Sequence, residues 1–158
     1  MLKIKKVVEG ILQNSKCKKA TKETFQKEYN GYIEDSFFSI INGDCEDMDD
    51  VEQAVDELRC EMCVWLAENL YVKVLPSTTL AKDDAYGREY ACRLGKNLYI
   101  PLKSIYDYDE YTDEDFFDVD ENGIVSINYD DAIPDAVSDE TGWLVYDTDY
   151  IITLNPNA

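Results

Sequence analysis

The residue types with the clearest potential for chemistry lie in the stretch that begins at Asp118. Asp118, Asp120 and Asn122 fill the first, third and fifth positions of an EF-hand calcium loop, and Gly123 fills the sixth. The twelfth position requires a bidentate glutamate, but the sequence has Tyr129 there. The pattern therefore predicts at most a low-affinity divalent-cation site at Asp118, Asp120 and Asn122. We expect no cofactor, with weakly bound calcium or magnesium at this site as the alternative.

The same stretch also fits a β-hairpin. Residues 116–119 favour a strand, residues 120–123 favour a turn, and residues 124–129 alternate between β-branched and polar types. The Asn-Gly pair readily supplies the positive φ angles that tight turns require. Residues 127–131 do not begin a convincing exit helix of the kind that follows an EF-hand loop. We favour the hairpin and keep the cation site as the alternative.

The residue inventory argues against most catalytic chemistry. The chain has no histidine, which excludes Ser-His-Asp and Cys-His catalysis and removes a common zinc ligand. Cys60 and Cys63 have the spacing of a zinc knuckle, and Cys45 and Cys92 could complete four ligands. The pair lies in a segment of strong helical periodicity, so we interpret it as helix packing. We expect no catalytic residues and no enzymatic activity.

Charge is distributed unevenly along the chain. The formal net charge of the 158 residues is −19, and the 55 residues after Lys103 contain 16 acidic and no basic residues. Such a field repels nucleic acids and anionic membranes, and it speeds encounters with basic surfaces. We therefore expect a basic protein surface as the partner, with no direct binding to nucleic acid or membrane. Solubility alone is the simpler explanation of the charge, but the absence of basic residues over 55 positions is more than solubility needs.

Aromatic and acidic residues alternate in the segment that precedes the hairpin. Carboxylates on a surface can replace phosphates in front of arginines, and tyrosine is a favourable interface residue. The alternative is a solvated acidic loop anchored to the core by Phe116 and Phe117. The predicted partner-binding residues are Asp107, Tyr108, Asp109, Glu110, Tyr111, Asp113, Glu114 and Asp115.

Helical periodicity dominates the first part of the chain. Residues 2–12 form an amphipathic pattern, which we interpret as a helix and not as a cleaved signal. A second helix is expected from a cap at Thr21 to the Asn-Gly pair at 42–43. The clearest apolar stripe, expected to be the main core element, comprises Val51, Val55, Leu58, Met62 and Trp65. We expect a further helix from Thr78 or Thr79 to Gly95.

Short β-branched and aromatic runs dominate the rest of the chain. Strands are predicted at residues 71–75, 98–102, 124–129, 143–146 and 150–154, and residues 147–149 resemble a hairpin connection. This order predicts an α+β fold in which N-terminal helices pack on a C-terminal, mostly antiparallel sheet. We expect residues 1–158 to form a single domain, helical to about residue 95 and β-rich from about residue 96.

One short motif resembles a known family. Residues 85–88 read Ala-Tyr-Gly-Arg and resemble a motif of acidic antirestriction proteins that imitate DNA, although the motif lies in a different part of the chain. Four residues carry over neither fold nor sites. Charge, size and aromatic content favour, by analogy, a DNA-mimicking inhibitor of a nuclease, of the anti-CRISPR or antirestriction kind, acting in the cytoplasm of the host cell. The alternatives are an immunity-type protein that neutralises a basic toxin, a divalent-cation module and a carboxylate-dependent hydrolase.

Overall fold

A computed structural model describes residues 2–41, 43, 45–106, 114–129 and 131–156. Three helices come first along the chain, and most of the strands follow them, which confirms the predicted α+β class. The described helices are α1 (Leu2–Asn14), α2 (Lys19–Ile41), α3 (Met48–Asn69) and α4 (Ala132–Thr141), with short 3₁₀ turns at Leu102–Ser104 and Glu114–Phe116.

The described strands pair only in antiparallel fashion, and they form three small sheets where the sequence predicts one. The strands are β1 (Leu70–Val74), β2 (Thr79–Asp83), β3 (Glu89–Arg93), β4 (Leu98–Pro101), β5 (Phe117–Val119), β6 (Val125–Ile127), β7 (Leu144–Asp147) and β8 (Tyr150–Leu154). Their orders in the sheets are β4-β1-β8, β3-β2-β7 and β5-β6. Helix α1 contacts both the β5-β6 pair and β8, so it packs against two of the sheets.

Helix α1 forms as the amphipathic pattern predicts. Ile4, Val7, Val8 and Ile11 recur at helical spacing, and all four are buried in the core. They share that core with α3, β1 and the two phenylalanines at the start of the β5-β6 hairpin. The core therefore joins the first helix to strands more than 100 residues later in the chain.

The C-terminal part of α2 and the N-terminal part of α3 form an arm that extends beyond the core. No described side chain between residues 26 and 61 is buried. Met62 and Trp65 of the predicted stripe are buried, whereas Val51, Val55 and Leu58 are only partly buried. The sequence thus predicted the helix correctly but overestimated the burial of its first half, because periodicity identifies an apolar face without showing what covers it.

The predicted helix between Thr78 and Gly95 is wrong. These residues form β2, a turn and β3, which pair from Thr79 with Arg93 to Asp83 with Glu89. The turn is stabilised by Asp84, whose Oδ1 accepts hydrogen bonds from the backbone N–H groups of Tyr86 at 2.8 Å and Arg88 at 2.9 Å. Gly87 supplies the positive φ of 74°. The helical part of the chain therefore ends at Asn69 and not near residue 95.

The connection at residues 147–149 is a corner between two sheets and not the predicted hairpin. Strand β7 pairs with β2, whereas β8 pairs with β1. Buried Thr78 fixes the corner, since its hydroxyl donates to Asp149 O and accepts from Asp149 N, both at 3.1 Å. Strands β7 and β8 look like a hairpin in sequence. They join different sheets because Thr78, in the β1-β2 connection, is hydrogen-bonded to the residue between them.

Helix α4 was not predicted. It begins at Ala132, directly beyond the stretch that showed no convincing exit helix, and it ends at Gly142, which adopts a left-handed φ of 75°. Two acidic residues near its C-terminus, Asp139 and Glu140, oppose the helix dipole and weaken the helical signal. The burial of Ile133 and Val137 stabilises the helix although its local sequence favours it only weakly.

Candidate functional site

The residues on either side of the predicted acidic segment pack against each other in the core. Asp107, Tyr108, Asp109, Glu110, Tyr111 and Asp113 lie outside the described residues. On either side of them, Tyr106 and Phe116 are both buried, and their ring centroids are 4.9 Å apart in an edge-to-face arrangement. Phe116 and Phe117 are fully buried, as expected for residues that anchor this segment. The roles of the segment in partner binding stay predictions.

The last two residues of the segment lie in a described 3₁₀ turn, and the second of them contacts helix α1. Glu114 begins the 3₁₀ turn Glu114–Phe116. The exposed Asp115 carboxylate lies 3.6 Å from Lys3 Nζ, and its backbone carbonyl accepts a hydrogen bond from Asn128 Nδ2 at 3.1 Å. An exposed pair of this kind contributes at most about 1 kcal/mol. One of the eight proposed contacts is therefore already paired with a lysine of the same chain.

The stretch with calcium-loop spacing forms the favoured β-hairpin. Phe117 pairs with Ile127 and Val119 pairs with Val125, which confirms both strands. Asp120 Oδ1 accepts hydrogen bonds from Asn122 N at 2.8 Å and Ile124 N at 2.9 Å, so this carboxylate oxygen holds the turn.

The other two predicted metal ligands are exposed. Asp118 lies in β5 and Asn122 lies in the turn. Within the described part of the chain, no group of three or more Cys, Asp or Glu side chains is arranged to hold a metal ion. Of the cysteines with zinc-knuckle spacing, Cys60 is exposed and Cys63 is buried in helix α3. Calcium binding at Asp118, Asp120 and Asn122 stays a prediction.

The structure reveals a second acidic surface that sequence reasoning missed. Five exposed carboxylates share one face of α3 and line a shallow groove with Gln53 and Cys60. We call this surface the α3 acidic stripe; its carboxylates are Asp49, Glu52, Asp56, Glu57 and Glu61. At a rise of about 1.5 Å per residue the stripe is about 18 Å long, which gives one carboxylate per about 4.5 Å. One strand of B-DNA carries one phosphate per about 3.4 Å of helix axis.

Few basic groups neutralise this part of the molecule. Residues 28–61 contain 12 acidic residues and one basic residue, Arg59. The Arg59 guanidinium lies 3.3 Å from the Asp56 carboxylate. A charge count over short windows finds this segment, whereas a count over the first 103 residues hides it behind the eight lysines of residues 1–28.

One cavity joins the end of the stripe to the residue that precedes the predicted acidic segment. Cys60 and Glu61, at the end of the stripe, line this cavity together with Tyr106, which directly precedes the predicted acidic segment. Helix α3 also packs against both 3₁₀ turns that flank the segment. The stripe and the described residues at the two ends of the segment therefore both lie next to α3.

The tip of the β2-β3 hairpin presents a different kind of surface. Tyr86 is 83% exposed, and the Arg88 guanidinium lies 5.2 Å from the centroid of its ring. Hydrogen bonds from the Arg88 and Tyr86 backbone and from the Arg88 side chain lower the pKa of Asp84 from its ordinary value of 3.8. These are residues of the Ala-Tyr-Gly-Arg motif, so the motif forms a turn that projects an aromatic ring into solvent.

Comparison with known proteins gave no match: no family model, no curated protein and no solved structure is similar to this chain at the significance we required. None of the helices in the described ranges is long and apolar enough to cross a lipid bilayer. Any functional conclusion therefore depends on the surfaces of this chain itself.

Proposed function

We propose that this chain is a non-enzymatic inhibitor that occupies the basic groove of a nucleic-acid-binding protein, as a mimic of DNA. The observation that carries the proposal is the α3 acidic stripe, which places five exposed carboxylates on one rigid helical face. A nuclease of an antiviral defence system is the partner class that best fits this activity. The proposed contacts are the stripe and the predicted segment from Asp107 to Asp115.

The spacing of the stripe supports this proposal. Along the helix axis its carboxylates recur about every 4.5 Å on average, and the phosphates of one DNA strand recur about every 3.4 Å along the duplex axis. Arginine and lysine side chains that bind phosphates also bind carboxylates through charge-assisted hydrogen bonds. A groove that accepts a DNA backbone therefore offers suitable partners to this helix.

The cost of the charge also supports a binding role. Glu52 and Asp56 are four residues apart in α3, and so are Glu57 and Glu61, and like charges at this spacing destabilise a helix by about 0.2–0.5 kcal/mol per pair. Solubility does not require charges that oppose the fold in this way, because dispersed acids serve it equally well. A cationic partner would relieve the repulsion upon binding.

Capture from a lysate of the native host tests the proposal. The chain is immobilised, bound proteins are eluted with a salt gradient, and a second sample is challenged with duplex DNA. We expect a DNA-binding protein or nuclease that moderate salt releases and that DNA displaces. Recovery of a basic toxin that DNA does not displace would instead support the immunity-type alternative. Recovery of no basic protein would contradict both.

A further inference from the structure

An aromatic and acidic cavity lies at the base of the α2-α3 arm. Its volume is about 380 Å³, which is within the range of small-ligand sites. Its lining residues include three aromatics, the half-buried Tyr32 and the buried Trp65 and Tyr106, and two exposed glutamates, Glu61 and Glu68. A cavity with aromatic walls and an anionic rim has the chemistry that binds organic cations.

The aromatic walls are held in fixed positions. Phe25 stacks on Trp65 with ring centroids 4.7 Å apart, and the Tyr32 ring lies 5.6 Å from Trp65 at an angle of 55°. Trp65 Nε1 donates a hydrogen bond to Glu28 Oε2 at 2.9 Å. These contacts orient the indole before any ligand arrives, which reduces the entropy that binding would otherwise cost.

Negative charge converges on Tyr32 from both helices. Burial raises the pKa of the Tyr32 phenol, and the carboxylates of Glu61, Glu28 and Glu68 raise it further. Tyr32 and Trp65 also line a second cavity of about 420 Å³, whose rim includes Glu28 and Asp35. Neither cavity has a lysine or arginine among the described residues that line it.

We propose that the cavity formed by Tyr32, Trp65, Tyr106, Glu61 and Glu68 binds the arginine side chain of a polypeptide partner. Arginine fits because its planar guanidinium stacks on aromatic faces and also pairs with carboxylates. The α3 acidic stripe ends at this cavity, so a basic partner that follows the stripe reaches the cavity with a cationic side chain. The inference deepens the proposed function and rests on it for the identity of the partner, but not for the binding of arginine.

Fluorescence of Trp65 tests the cavity without any partner. The chain has two tryptophans, and Trp143 lies outside the cavity, so the W143F background leaves Trp65 as the single reporter. The probe is N-acetyl-arginine amide, which represents arginine within a polypeptide. N-acetyl-citrulline amide has nearly the same shape without the charge and serves as the matched ligand control, at equal ionic strength. We expect the arginine probe to change the Trp65 fluorescence in a saturable way and the citrulline probe to leave it unchanged.

Variants locate the binding site. In the W143F background, Glu68→Gln should weaken binding of the arginine probe about threefold, and Tyr32→Leu should weaken it about three- to tenfold. Tyr32→Phe keeps the aromatic wall and should retain most of the affinity. Glu140→Gln makes the same charge change at an exposed position of α4 and should leave the affinity unchanged. Circular dichroism confirms that each variant folds.

The outcomes separate this inference from the proposed function. Equal responses to the arginine and citrulline probes, no response at about 50 mM arginine probe, or equal losses in Glu68→Gln and Glu140→Gln would overturn the arginine site. Much tighter binding of free agmatine than of the arginine probe would contradict the proposal that the bound cation belongs to a polypeptide. The lysate capture does not depend on any of these results, so either proposal can fail while the other stands.

Discussion

At the scale of single residues, Asp84 shows how one side chain determines a local structure. Its two carboxylate oxygens accept hydrogen bonds from two backbone N–H groups and from the Arg88 guanidinium at 3.0 Å. Each of these bonds favours the charged carboxylate, and together they lower its pKa from 3.8. A carboxyl with a lowered pKa stabilises the folded state above its unfolded pKa, and this stabilisation is lost as the pH falls through the folded pKa.

The prediction for Asp84 is a pH-dependent loss of stability. Asp84→Asn should lower the free energy of unfolding at pH 7, and the difference from the wild type should shrink as the pH falls below about 3.8, when the wild-type carboxyl takes up its proton. Urea unfolding at a series of pH values measures this difference. Asp83→Asn makes the same substitution at the preceding residue and serves as the matched control. A constant difference between wild type and Asp84→Asn at every pH would contradict the assignment.

At the scale of elements, the close contact between α1 and the β5-β6 hairpin determines the position of the stretch with calcium-loop spacing. A Cβ atom added at Gly10 would lie 2.3 Å from the carbonyl oxygen of Gly123, so only glycine permits this approach. Asn14 Nδ2 donates to that same oxygen at 3.3 Å. The helix therefore holds the turn by its backbone, and the position of Asp120 depends on a glycine more than 100 residues earlier.

Substitution of two helical glycines should give opposite results. Gly10→Ala should destabilise the fold by about 1–3 kcal/mol, because the new methyl group overlaps backbone that cannot easily move. Gly31→Ala, in α2, meets no atom within 4 Å and should stabilise the fold by about 0.5–1 kcal/mol through helix propensity. Chemical denaturation of both variants measures the change. If Gly10→Ala were neutral or stabilising, α1 and the hairpin would have to be farther apart than the structure shows.

The elements also show which parts of the fold a sequence can predict. Local patterns correctly predicted α1, α3, the β5-β6 hairpin and the strands β1, β4, β7 and β8. They failed at β2 and β3, because Thr79 and Gly95 are equally suitable as helix ends and as strand ends. They failed for the β7-β8 connection because Thr78, far away in sequence, decides which strands pair. The α3 acidic stripe could have been found from its helical spacing, whereas the cavity required the packing of Tyr106 against α3.

At the scale of the whole molecule, the acidic stripe and the cavity share helix α3. The stripe, the cavity and the residues that flank the predicted acidic segment lie next to α3. The exposed Tyr86 and Arg88 lie at the tip of the β2-β3 hairpin. Lysines cluster in the first 28 residues, and Lys3 already pairs with Asp115. We therefore predict that the acidic surfaces around α3 determine partner affinity and its dependence on salt.

The most direct test of the account compares two triple variants with equal changes in net charge, against the partner recovered from the lysate. The stripe variant carries Asp49→Asn, Glu52→Gln and Glu57→Gln, and the control carries Asp139→Asn, Glu140→Gln and Asp147→Asn, all at exposed positions. Affinity is measured for each from about 50 to 200 mM salt. We predict that the stripe variant binds at least about tenfold more weakly with a shallower salt dependence, while the control binds like the wild type. Equal effects of the two variants would contradict the stripe as the docking surface.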